Sequence, residues 1–382
     1  KYQNAITCYQ SAIKINPNYI DAHNNLGNAF RRLGRFQEAK KCYEKAMRIN
    51  PSNEITYNNL GVFYEHIGDY KMSLQFHQKA IKINPNYADA HFNYSSPLFL
   101  LSNFQQGFEE YEWRKKQITQ KYFTEKELKG LEWQGEDLKD KTILIFSEQG
   151  LGDIIQFARY IYYLQDNYQN NIIFKTRKEL KHLFSKAKFK VISDDDLAPS
   201  YDYYIYLMSL PRIFYKKNKI LLKEIDYINN DHNIASKWKK ILSKTIGIKI
   251  GINWQGSKSY EFDKYRSIPL KFFEDLFSIQ NLNFINLLKG NGTEQIKHFK
   301  YRDKLICFAP KISFDEHNNA FEDTIGIIRT LDLVITSDTA IAHLSATIGK
   351  ETWLLLPFVP DFRWGLEETK TVWYDNIKIF RQ

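Results

Sequence analysis

Cysteine is scarce, with three residues in a chain of 382. Cys8, Cys42 and Cys307 are odd in number and have no CxxC spacing. That pattern excludes a disulfide framework and a thiolate zinc site, and it fits a reducing compartment, so a cytoplasmic location is expected. No stretch approaches eighteen consecutive apolar residues, and no transmembrane segment is expected. Blocks of basic residues interleaved with aromatics are also missing, so no nucleic acid partner is expected. The balance of 54 Lys+Arg against 44 Asp+Glu, a net +10, favours an anionic ligand without naming one. What is present is 43% hydrophobic, 15% aromatic and 26% charged residues, the composition of a globular chain with substantial cores. The length allows two or three domains. The chain opens at Lys1 inside a helical pattern, which reads as a fragment that enters partway through a repeat, with any targeting signal outside it.

The first third of the chain repeats with a period of 34 residues. Asn16-Pro17 aligns with Asn50-Pro51 and Asn84-Pro85, Ala12 with Ala46 and Ala80, and Gly27 with Gly61. Each unit reads as a helix, as over 19–32, a turn at Gly34, a second helix over 36–49 and an Asn-Pro stop. Proline ends the helix because it lacks an N–H and clashes with the preceding turn. The small Gly27 and Ala46 let neighbouring helices approach closely. The pattern resembles tetratricopeptide repeats, and the resemblance covers residues 1–118, the first repeat being partial. Cys8 and Cys42 occupy equivalent positions and read as packing residues. Asn25, Asn59 and Asn93 also recur. Their amides either hold the backbone of an acceptor peptide on a concave surface or bridge neighbouring repeats. In the last unit Ser96-Pro97 is expected to interrupt the first helix, and Ser102 replaces the turn glycine. Residues 119–141 read as a connector in which aromatics such as Trp133 anchor packing.

From Thr142 short β-branched runs alternate with amphipathic helices, the signature of parallel sheets wound on both faces. One half, 142–235, carries strands at 142–146, 171–175, 190–193 and 203–206, with helices over 153–164 and near 178–185. A polar stretch over 227–238 reads as the hinge. The other half, 236–382, carries strands at 246–254, 283–288, 305–308, 333–336 and 352–356, with helices over 270–277, 321–331 and 339–348. Ligands of such sheets sit outside the carboxyl ends of the strands, so the site is expected in the cleft between two facing sheets.

Three stretches lie at strand ends. Gly150 and Gly152 allow a tight strand-to-helix turn that sets Asp153 at the start of a helix. Asp153 either caps that helix or stands exposed to the cleft. The second stretch, 251–258, runs from a buried strand through Trp254 to Lys258 and on to Arg266 and Ser267, polar and cationic groups that suit an anionic head. The third joins Ser337, Asp338 and Thr339, expected to cap the next helix, to Ala340 and His343. Free N–H groups of its first turn would point at an anion, while Asp338 as a mere cap and His343 as a satisfied core histidine stay open. The acidic run Asp194-Asp195-Asp196 reads as a surface turn.

The order of Trp133-Gln134-Gly135, Glu148 through Tyr160, Met208 through Pro211, Arg266-Ser267, Asp338 through Leu344, Pro360 through Trp364 and Trp373-Tyr374 resembles the heptosyltransferase-like glycosyltransferases of family nine, especially members fused behind tetratricopeptide repeats. The resemblance implies a glycosyltransferase-B fold of two Rossmann-like domains. The first, 142–235, is the acceptor side, and the second, 236–382, binds the nucleotide sugar. It implies metal-independent, inverting transfer from a nucleoside-diphosphate sugar to a hydroxyl, with no cofactor. Asp153 matches the general base. The donor set implied is Gly150, Gly152, Gln156, Trp254, Lys258, Arg266, Ser267, Ser337, Asp338, Thr339, Ala340, His343, Asp361 and Arg363. Ala340 stands where heptosyltransferases have glycine. The repeats point to a protein or peptide acceptor, with Asn25, Asn59 and Asn93 as its contacts. A saccharide or lipid acceptor, and a non-catalytic scaffold with a degenerate transferase domain, are the alternatives.

Overall fold

The computed structural model describes residues 2–116, 128, 130–219, 221–223, 226–228, 232–260, 263–309, 315, 320–367 and 369–382. Part of the expected connector, and residues 229–231 of the expected hinge, lie outside the described residues. The chain divides into two compact units, one made of Lys1–Glu127 with Val359–Leu366, the other of Leu128–Phe358 with Glu367–Gln382.

The repeat unit is built from antiparallel helices: α1 (Tyr2–Ile15), α2 (Ile20–Arg32), α3 (Phe36–Ile49), α4 (Glu54–His66), α5 (Tyr70–Ile83), α6 (Ala88–Leu100) and α7 (Phe104–Tyr111). The periodic residues explain the geometry. A methyl group on Gly27 would come within 2.5 Å of the Tyr43 ring, and one on Gly61 within 2.5 Å of the His77 ring, so each glycine admits an aromatic of the second helix of its own repeat. The recurring asparagines close each unit, the side chains of Asn16, Asn50 and Asn84 accepting the N–H two residues on. Gly34 and Gly68 take positive φ at the turns, and Ser102 takes the same left-handed conformation at φ 61°. The expected interruption at Ser96-Pro97 does not occur: α6 runs through Pro97. A proline inside a helix costs about 3 kcal/mol, and here burial of Tyr94, Leu98, Phe99 and Leu100 offsets it.

The α/β unit holds two wholly parallel sheets. The first is formed by β1 (Leu131–Glu132), β2 (Thr142–Phe146), β3 (Asn171–Thr176), β4 (Lys190–Ser193) and β5 (Tyr203–Tyr206), in the order β1-β5-β2-β3-β4. Its helices are α8 (Leu151–Phe157), α9 (Arg159–Asn167) and α10 (Leu210–Asn218). The second sheet comprises β6 (Ile248–Asn253), β7 (Leu282–Asn286), β8 (Leu305–Ile306), β9 (Leu333–Ser337), β10 (Thr352–Leu356) and β11 (Ile377–Arg381), in the order β11-β10-β9-β6-β7-β8. Helices α11 (His232–Leu242), α12 (Asp263–Arg266), α13 (Glu322–Thr330) and α14 (Ala340–Thr347) accompany it. Counted from β6, this is the doubly wound order 3-2-1-4-5-6 of a Rossmann-like lobe. The first sheet follows the same rule through β4-β3-β2-β5. Strand order therefore reverses between β2 and β5 in one lobe and between β6 and β9 in the other.

Three local differences from expectation have physical causes. The helix expected over 153–164 is two, α8 and α9, because side chains take its mid-helix carbonyls: Arg159 Nε donates to Gln156 O at 2.7 Å and Tyr227 Oη to Ile155 O. Segments Lys178–Phe184 and Leu270–Ser278 are 3₁₀ turns and not α-helices. Strand β11 was not anticipated, although Ile377 and Ile379 point inward in strand alternation.

Candidate functional site

Both reversal points carry the residues singled out in the sequence. At the first, the apolar β2 ends in Phe146 and hands over to Glu148, whose Oε1 accepts from Met208 N at 3.1 Å just beyond β5. Gln149 adopts φ 65°, and its carbonyl accepts from Arg177 Nη2 at 3.1 Å. Gly150 is the N-cap of α8, and the Asp153 carboxylate folds back so that Oδ2 accepts the Gly150 N–H at 2.8 Å. Asp153 thus does the work of a capping partner while remaining partly exposed. Gln156, one turn on, is fully buried, and neither atom of its amide has a hydrogen-bond partner.

At the second reversal point, Asn253 ends β6 and Ser337 ends β9. Asn253 Nδ2 donates to Thr339 Oγ1 at 3.0 Å and to Thr336 Oγ1 at 3.3 Å, which ties the two strand ends together. Arg266 Nη1 donates to the carbonyl of Asp338 at 2.9 Å, its Nε pairs with Asp263 Oδ1 at 3.1 Å, and the guanidinium lies 4.4 Å over the Tyr260 ring. Gly256 makes room for it, since a methyl there would collide with Arg266 Nη2. Ser267 Oγ accepts from Gly256 N at 3.3 Å. Arg266 therefore fixes the 337–339 turn and places a cation beside it.

Neither Ser337 nor Thr339 caps α14. Thr339 occupies the N-cap position in extended conformation, but its side chain does not accept from the first turn of the helix. Its hydroxyl is engaged by Asn253 instead. Ser337 is fully buried and its Oγ has no partner. A helix start whose N-cap side chain is turned to another partner, beside an orphaned buried hydroxyl, suits an anion.

Helices α8 and α14 bring the two reversal points into contact. A methyl on Gly152 would lie 2.8 Å from His343 Cδ2 and 3.3 Å from Ala340 Cα. His343 is 4% exposed and its Nδ1 is 3.1 Å from Tyr374 Oη, the environment of a satisfied core histidine. Trp254 is fully buried in the lobe core with its indole N–H on Gly292 O at 3.2 Å, which makes it a packing residue. Lys258 sits exposed with Nζ 3.0 Å from Glu294 Oε1. Asp361 and Arg363 belong to the repeat unit: they pair at 2.6 Å, and between them Phe362 stacks on Phe99 at 4.9 Å. The acidic run 194–196 is a turn, in which Asp194 accepts Lys178 N and Asp196 accepts Ser193 N.

In the repeat unit, Asn59 Oδ1 accepts from Asn28 at 3.5 Å and Asn93 Nδ2 donates to Asn58 Oδ1 at 3.2 Å, so both bridge neighbouring repeats; Asn25 is exposed. A cavity of about 530 Å³ opens between α1, α2 and α3, lined by Ile13, Lys14, Leu26, Lys41, Cys42 and Lys45. All three cysteines are free thiols, and burial, with Glu38 nearby, raises Cys42 to about 11. Sequence reasoning did not single out Asn253, Glu148 or Tyr374 as site residues. Asn253 and Glu148 bear a signal only once strand order is known, because each acts on the neighbouring strand.

Tetratricopeptide-repeat family models match residues 1–34, 20–53 and 55–87, and these residues are tetratricopeptide repeats. The chain is similar to Protein FlbA of Caulobacter vibrioides, 22% identical over 274 residues, which is 66% of this chain and 45% of that one. It thus spans less than half the length of that relative. Among solved structures it is similar to the ADP-heptose lps heptosyltransferase II of E. coli, with 14% identity, TM-score 0.45, and 63% of this chain and 90% of that one covered. It is also similar to a family 9 glycosyl transferase of Veillonella parvula DSM 2008, with 12% identity, TM-score 0.47, and 65% and 88% covered. Among the described residues no helix is long and apolar enough to cross a membrane.

Proposed function

We propose that the α/β unit transfers a sugar from a nucleoside-diphosphate sugar to a hydroxyl acceptor, without a metal and with inversion at the anomeric carbon. The observation that supports this best is the pairing of two strand-order reversal points, one ending in a carboxylate and the other in a helix start that its N-cap residue Thr339 leaves uncapped, joined at Gly152 and His343.

In this reading the donor diphosphate lies on the first turn of α14, with Ser337 Oγ as a further donor. Arg266 supports the leaving group from behind the turn by holding the Asp338 carbonyl and adding positive charge. Asp153 takes the proton of the acceptor hydroxyl as the bond from the anomeric carbon to the diphosphate oxygen breaks. The electron pair of that bond leaves with the diphosphate, whose growing charge meets backbone N–H groups aimed at it. A polypeptide acceptor is presented by the repeats. Asn25 and the lysine-lined cavity between α1 and α3 are its contacts, while Asn59 and Asn93 each give one amide atom to a neighbouring repeat.

One observation favours a second reading, that of a non-catalytic scaffold: the Asp153 carboxylate already caps its own helix. Transfer assays with a panel of UDP-, GDP-, ADP- and CDP-linked sugars, run with and without chelator, decide between them. Asp153→Asn should keep nucleotide binding and lose about 10²–10⁴-fold in turnover. Binding of nucleotide with no transfer by the unaltered protein would favour the scaffold.

A further inference from the structure

His343 has its ring nitrogens on two different lobes' chain segments, and the partner of Nδ1 is itself unusually placed. Tyr374, just before β11, is 1% exposed, and its hydroxyl is 3.1 Å from Nδ1. The Arg159 guanidinium, also 1% exposed, lies 4.4 Å over the Tyr374 ring. Arg159 donates to three carbonyls, Gln156 O at 2.7 Å, Leu222 O at 2.9 Å and Trp373 O at 2.8 Å, and the Tyr227 hydroxyl is a further partner. No carboxylate is among these partners. A cation over a phenol ring draws electron density toward itself and makes the O–H the stronger hydrogen-bond donor. Nδ1 is then the acceptor, and an imidazole that accepts on Nδ1 carries its proton on Nε2. The Cδ2–Nε2 edge is the one that faces Gly152, a methyl there lying 2.8 Å from Cδ2 and 3.6 Å from Nε2.

We propose that Tyr374 is a positioning residue: backed by Arg159, it donates to His343 Nδ1, fixes the neutral Nε2–H imidazole against Gly152, and so sets the crossing of α8 and α14. That crossing spaces Asp153, in the first turn of α8, from the amino end of α14. The geometry stands by itself, while its consequence for turnover rests on the transferase reading above. A histidine that only filled space would tolerate either tautomer, and loss of the tyrosine hydroxyl would leave it in place.

Two measurements test this. Long-range ¹H–¹⁵N correlation spectra of the unaltered protein at neutral pH should show His343 as the Nε2–H tautomer; the Nδ1–H or doubly protonated pattern would overturn the proposal. In Tyr374→Phe the His343 pattern should shift toward a mixture. Turnover should fall about 10²-fold while KM for the nucleotide sugar stays within about twofold and the unfolding midpoint holds, since misplacing reacting groups by an ångström costs that much rate. Unchanged turnover and an unchanged tautomer in a folded variant would overturn it. If no nucleotide sugar is turned over by the unaltered protein, the transferase reading fails and the tautomer alone decides on Tyr374. The same spectrum decides if the variant does not fold.

Discussion

Gly152 and His343 meet so closely that a single methyl group on the glycine would come within 2.8 Å of the imidazole. The contact joins the glycine turn of the first lobe to the first turn of α14 in the second. Gly152→Ala must therefore push the two helices apart or displace His343. We expect it to destabilise the α/β unit by about 1–3 kcal/mol, the range for overpacking. Transfer should fall by more than the stability change explains, as read by urea unfolding and turnover on one preparation.

His77 is fully buried between α4 and α5 with neither ring nitrogen paired, and burial lowers it to about 3. It repeats the position of Tyr43, whose hydroxyl donates to Asn28. The corresponding partner in its own repeat is Val62, which accepts nothing. The unfolded chain takes up a proton near the ordinary histidine value and the folded one does not. Stability from this site is thus present above about pH 6.5 and is lost as pH falls toward 3, at up to about 1.4 kcal/mol per pH unit. His77→Phe should flatten that part of the stability–pH profile and raise the unfolding midpoint at pH 5. An unchanged slope would show that other groups control it.

Glu65 behaves in the opposite sense. Burial, with the nearby Asp361 adding to it, raises its carboxyl to about 7 despite the hydrogen bond from Ser96 at 2.6 Å. A raised carboxyl favours folding below its unfolded value near 4.5, and that contribution is lost as pH rises through 7. Glu65→Gln should therefore gain stability relative to the unaltered protein at pH 8 and gain none at pH 4. Asp361 lies in the Val359–Leu366 segment of the repeat unit, so the protection of its amides, after the intrinsic rise of exchange with pH is divided out, should fall between pH 6 and pH 8 in the unaltered protein only.

Phe362 anchors the same segment by stacking on Phe99 at 4.9 Å and lying 5.9 Å from Tyr111. Phe362→Ala should cost about 3 kcal/mol, the low end for a large aromatic truncation because the ring is only partly buried. The loss should appear as a lowered unfolding midpoint of the repeats, read by circular dichroism at 222 nm, with nucleotide affinity unaltered.

The repeats were legible because their period is written in residues with one steric job each: Gly27 and Gly61 admit a ring, and Asn50 closes a turn. The parallel strands were legible as apolar runs, β2 and β10 falling on the expected residues. What sequence could not show depends on neighbours far along the chain. Thr339 looks like a cap until Asn253, 86 residues away, claims its hydroxyl. Asn59 and Asn93 read equally as a peptide ladder or as bridges, and the bridging bonds to Asn28 and Asn58 show only in the fold. Pro97 looks like a helix break until the burial of Leu98, Phe99 and Leu100 is counted. Nothing in the sequence around Asp361 and Arg363 shows that they pack with the repeat unit, far earlier in the chain.

The decisive measurement follows backbone amides. Titrating isotopically labelled protein with ADP, GDP, UDP and CDP should move the amide resonances of Ala340 and Ile341 with one of these nucleotides, saturably and without added metal. Saturation by a nucleotide that leaves both amides unmoved, or no uptake of any of the four, would contradict a diphosphate seat at the start of α14.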